Sequence, residues 1–363
     1  MIKGAAPQTR LRRAPLLLLG IVSLVLGVWG GLLRLSIPLP FPKENANWIT
    51  FHGPLMVCGF LGTVIGLERA VGLQRAWTYL PPILSGAGAL IIAAGFLGSP
   101  GAALITAGSA GFVIVTWRVV QLQRALFTVV MSIGGLLWFI GNSLWLYNCP
   151  FHKVVPWWIG FLGLTIVGER LDLSRFQKQA PAARPLFLGA LLLFLAGVAA
   201  SAFSTSLGQR ILGAGLVALA LWMGRFDIAR RAVKQPGLPR FMAVCLLGGY
   251  VWMAAAGVLL VCMAPLESGP LYDAALHSFF LGFVFGMIFG HAPMIFPSVL
   301  QMPALGFSQR LYSHVLLLHG SLLLRVVGDL AGWESGRRWG AALNAMALAL
   351  FLANTVVGLV WRR

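Results

Sequence analysis

Long apolar runs alternate along this chain with short clusters of Arg, Lys, Pro and Gly. Twelve mainly apolar windows stand out, with cores at 15–33, 51–67, 79–98, 102–119, 126–147, 154–168, 186–204, 210–224, 241–264, 274–296, 311–328 and 341–361. About 20 such residues are needed for a helix to cross roughly 30 Å of hydrocarbon. Only helices and closed barrels satisfy their backbone hydrogen bonds in lipid, and no window alternates with the period-two pattern of a barrel strand. The pattern predicts an all-α fold, a polytopic membrane bundle of about twelve spans, forming a single integral membrane domain over 1–363. The basic leader before the first window is followed by no small-x-small cleavage site at a useful distance, so that window reads as a retained span.

Composition agrees with this reading. Of 363 residues, 59% are hydrophobic and 10% charged, whereas a soluble domain carries about a quarter charged residues. The formal net charge of +18 would suggest nucleic acid in a soluble protein. Here the cations sit between apolar windows, so they are read as topology signals and no nucleic-acid binding is expected. With the N-terminus inside, Arg34, Lys43, Lys153, Arg210, Arg325, Arg337 and Arg338 face outward and the other 20 of the 27 Lys and Arg face inward. The expected placement is a bacterial inner (cytoplasmic) membrane with both termini cytoplasmic.

A short echo recurs at intervals of four spans. FLGTVIGLER (60–69) in the second span matches FLGLTIVGER (161–170) in the sixth, and Phe280, Leu281 and Gly282 repeat its start in the tenth. Spans four apart run in the same direction, which suggests three parallel four-helix units rather than inverted repeats.

The candidate chemistry lies with the histidines. Cys58, Cys149, Cys245 and Cys262 form no Cys-x-x-Cys pair, so neither a zinc knuckle nor a covalent haem attachment is indicated. Ionisable groups inside a membrane mark a site or a partner. His52 and His277 lie near the outer ends of the second and tenth spans, at similar depth on co-directional helices, as two axial ligands of one b-type haem must. The bland reading is two interfacial imidazoles bonded to nearby backbone. Arg325, in the eleventh span, would meet haem propionates, or else snorkel or pair with Asp329 one turn on. Glycines at 59, 62 and 66 and at 282, 286 and 290 let helices approach closely. On the cytoplasmic side, His291, His314 and His319 are candidates for a second metal, copper above all, with His291 and His314 the pair able to meet. His152 sits in an outer loop.

Several segments carry a family resemblance. FHGPLMVCGFLG, GLTIVGERLDLSRF, LGGYVWMAAAGVLL, ALHSFFLGFVFGM and LLLRVVGDLAG, in the second, sixth, ninth, tenth and eleventh spans, resemble the NnrS family. These are twelve-span bacterial membrane proteins described as containing haem and copper and linked to nitric oxide stress and denitrification. The resemblance implies a haem held by His52 and His277, with a redox partner docking on short loops. The family's second span usually reads His-x-His-Glu, where this chain has only His52, followed by Gly53 and Pro54. A copper site is therefore less well matched. A remoter similarity is to haem-copper oxidase catalytic subunits, but the seventh and eighth spans contain no His, which argues against terminal oxidase activity. The resemblance implies haem-dependent redox chemistry on nitrogen oxides. Catalysis, sensing and electron transfer all stay open. The rival classes are a small-molecule or metal transporter and a cofactor-free membrane assembly factor.

Overall fold

The computed structural model describes residues 7–39, 47–96, 99–175, 180–302 and 306–360. Among the described residues are twelve helices long and apolar enough to cross a membrane. They are α1 (Arg13–Arg34), α2 (His52–Leu73), α3 (Ala76–Ala93), α4 (Pro100–Leu122), α5 (Leu126–Leu146), α6 (Phe151–Ser174), α7 (Ala183–Phe203), α8 (Thr205–Phe226), α9 (Leu238–Met263), α10 (Pro270–Val299), α11 (Leu311–Ala331) and α12 (Glu334–Leu359). No strand occurs among the described residues. The protein is a multi-pass helical membrane protein.

Three of the boundaries that differ from the hydropathy windows have a local reason. α3 stops at Ala93 because Gly95 adopts φ 91°. Its N–H bonds Ile92 O and that of Phe96 bonds Ile91 O, the paired closure of a helix by a left-handed glycine. α6 runs on to Ser174 through Glu169, Arg170 and Asp172, and Arg170 is only 2% exposed. α12 begins at Glu334, before its apolar core, with the carboxylate in the first turn, where the helix dipole favours it.

The chain forms two compact units. The first comprises residues 1–150 with 295–304 and contains α1 to α5. Neighbouring helices pack on one another, around a core that includes Phe60, Phe112 and Trp138. Phe112 meets Trp138 edge to face at 5.6 Å, and Arg13 Nη1 donates to Val299 O at 3.3 Å. The second unit comprises 151–294 with 305–363 and holds α6 to α9, α10 as far as Met294, α11 and α12. Its core is built on Trp158, Phe161, Phe187, Phe194, Phe279, Phe283 and Phe285.

Two spans leave the α-helical register. In α2, Leu55–Gly62 forms a π-helix, and in α10 Ser278–Phe285 does the same. Such wide turns are rare and favour functional positions. Each contains the glycine of a Phe-Leu-Gly echo. A Cβ on Gly62 would run into the Trp138 ring, and one on Gly282 into the Trp252 ring. In the remaining copy, Gly163 of α6 faces Phe194 at 3.4 Å.

Candidate functional site

His52 opens α2, and its Nδ1 lies 2.5 Å from Gly27 O of α1. A carbonyl only accepts, so Nδ1 carries the proton and the ring's lone pair is on Nε2. Glycine at 31 makes room for the ring, since a Cβ there would sit 2.8 Å from His52 Cε1.

His277 stands immediately before the π-helical turn of α10. Its Nδ1 donates to Asp273 O at 2.9 Å and lies 3.2 Å from Asp273 Oδ1. The lone pair is again on Nε2. Arg325 of α11 holds the same carboxylate, Nε at 3.1 Å and Nη2 at 2.6 Å from Oδ2. Arg325 therefore pairs with Asp273 and not with Asp329, because the neighbouring helix presents a carboxylate at its depth. Asp329 is taken by Arg337, at 2.7 Å, which also reaches Glu334 at 3.5 Å. Asp273 escaped the sequence reading. Its signal was there, an acid one helical turn before a histidine in a chain with only 9 Asp and Glu.

The other three candidate histidines each face a side-chain donor from another helix. His291 donates from Nδ1 to Met287 O at 2.8 Å, while Arg170 Nη1 donates to its Nε2 at 3.2 Å. Arg170 is itself clamped bidentately on Asp227, at 2.9 and 3.0 Å, and Asp227 also accepts from Ala229 N at 2.7 Å. Tyr250 interacts electrostatically with both members of this buried pair. His314 accepts at Nδ1 from Asn354 Nδ2, 3.1 Å away. Its ring is enclosed by Phe289, Phe351 and Phe241, at centroid distances of 4.7, 5.5 and 6.2 Å. His319 accepts at Nδ1 from Trp252 Nε1 at 2.9 Å. The lone pair of each ring thus faces a donor from another helix. Among the described residues, no group of three or more His, Cys, Asp or Glu is arranged to hold a metal ion. His152 Nε2 lies 3.9 Å from Glu267.

The histidines therefore differ in bonding. His52, His277 and His291 each give the Nδ1 proton to a backbone oxygen. His291, His314 and His319 receive a hydrogen bond on the lone pair.

A search of curated proteins finds no match to this chain. Residues 13–360 match the family described as a domain of unknown function, DUF8744, and the chain belongs to that family.

Proposed function

We propose that this DUF8744 chain is a haem-binding membrane protein of NnrS type, in which His52 and His277 would hold haem b, with a role in the nitric oxide response or denitrification-linked redox chemistry. The observation that carries the reading is the hydrogen bonding of the two rings, each considered within its own unit. A metal-ligating histidine almost always donates its other N–H to a carbonyl or carboxylate, which fixes the tautomer and strengthens the donor nitrogen. His52 does so through Gly27 O, and His277 through Asp273. His277 immediately precedes a π-helical turn, and His52 lies three residues before another.

When bound, haem supplies one-electron chemistry at its iron. The residues of this chain have separate tasks. Asp273 orients His277 and draws on its Nδ1 proton, and Arg325 holds that carboxylate in place. With Arg325 committed to Asp273, the propionates are left out of its role. Copper at His291, His314 and His319 would require Arg170, Asn354 and Trp252 to release those rings, so the proposal is confined to haem. A redox partner protein would dock on the short loops between spans.

The test is the absorption spectrum of the purified full chain after expression with ample haem. The expected result is a Soret band that is lost in both His52→Ala and His277→Ala and kept in His314→Ala. A colourless, folded preparation overturns the proposal and leaves the transporter and assembly-factor readings.

A further inference from the structure

In the second unit, a cavity of about 430 Å³ is lined by Pro236, Gly237, Arg240, Phe307, Gln309 and Tyr312. It lies at a membrane boundary, because Arg240 is in the first turn of α9 and Tyr312 in the first turn of α11. Each polar side chain lining it can donate a hydrogen bond, and Arg240 can only donate. Arg240 is anchored through Nε to Val233 O at 3.2 Å, which aims a guanidinium with two further nitrogens and no acceptor capacity at the cavity. Tyr312 adds a phenol and Gln309 an amide, and no carboxylate lines the space. The ring of Tyr312 is held in place against Phe241 at 5.3 Å, edge to face, and against Phe307 at 6.2 Å.

The surroundings carry one sign of charge. Arg225 ends α8, the segment leading into α9 contains Arg230, Arg231 and Lys234, and Arg310 precedes α11. The acid of that segment, Asp227, is bound to Arg170. A donor-lined, cationic cavity at the water boundary of a helical bundle is matched by one abundant partner, the phosphate of an anionic phospholipid. We infer that this cavity binds the headgroup of an anionic glycerophospholipid, with the phosphate on Arg240 and Tyr312 and the glycerol region against Phe307. The volume suits a headgroup and leaves the acyl chains in the bilayer. This inference is independent of the haem proposal.

The experiment uses the full chain, delipidated in neutral detergent and titrated with phosphatidylglycerol, phosphatidylcholine or inorganic phosphate while native mass spectrometry counts bound molecules. Phosphatidylglycerol is expected to bind, phosphatidylcholine to bind at least tenfold more weakly, and inorganic phosphate not to compete. Arg240→Ala should weaken phosphatidylglycerol by at least about fivefold, the effect of roughly one interfacial cation, and Arg231→Ala should stay within twofold. Tyr312→Phe with Gln309→Ala provides a second weakening variant that keeps every charge, should Arg240→Ala fold poorly. Equal losses in Arg240→Ala and Arg231→Ala would mean diffuse attraction and overturn the site. So would equal binding of phosphatidylcholine, effective competition by inorganic phosphate, or unchanged binding in the charge-preserving variant.

Discussion

Arg325 and Asp273 meet at 2.6 Å between α11 and α10, and this contact holds the carboxylate on which the His277 ring hangs. One ion pair thereby links two spans and fixes the carboxylate that stands 3.2 Å from His277 Nδ1.

Removing one member of such a pair leaves the other charge in a site built for two. Arg325→Ala is expected to lower stability by about 3 kcal/mol, the low end for breaking a buried pair. Thermal unfolding in detergent, compared with Arg338→Ala, checks this; equal melting of the two variants would refute it.

Asp273→Asn tests the orienting role separately from the fold. The amide keeps the shape but loses the charge, and loss of such an outer partner typically costs 10- to 100-fold in ligand affinity. The expected outcome is haem affinity reduced by about tenfold or more with the protein still folded. Haem titration of the variant reads it directly, and wild-type affinity would show that Asp273 does not act through His277.

Arg170 and Asp227 form the more deeply buried pair, with side chains 2% and 0% exposed. Arg170→Met alone should cost about 3–5 kcal/mol, since Asp227 is left charged and buried. The double variant Arg170→Met, Asp227→Leu should recover much of that loss. A double-mutant cycle on unfolding midpoints measures the recovery, and strictly additive losses would contradict the argument.

Gly62→Ala and Gly282→Ala each drive a methyl group into an indole ring. Overpacking of this kind costs about 1–3 kcal/mol. Gly189→Ala, with nothing within 4 Å of its added Cβ, should be neutral or slightly stabilising. Melting temperatures of the three variants decide the point.

The echo in the sequence exposed part of this in advance. Phe-Leu-Gly at 60–62, 161–163 and 280–282 marked positions where a ring later proved to pack on the glycine. It carried no sign of the π-helical turns, nor of the Trp138 and Trp252 rings that reach Gly62 and Gly282 from α5 and α9. The helical extension of α6 to Ser174 was hidden as well. Arg170 reads as the charged end of a span until Asp227, 57 residues on, is seen to bury it.

What the sequence alone determined was the number and placement of the spans and the short list of histidines. Partition into lipid is a property of each segment by itself, so window length and charge are enough to read it. What only the tertiary structure decided was the hydrogen-bond partner of these histidines. An imidazole's donor and acceptor are assigned by whichever group faces it, and for His52, His291, His314 and His319 that group comes from a helix remote in sequence. For His277 the carbonyl partner is local, but the carboxylate beside it is held by Arg325 from the next span.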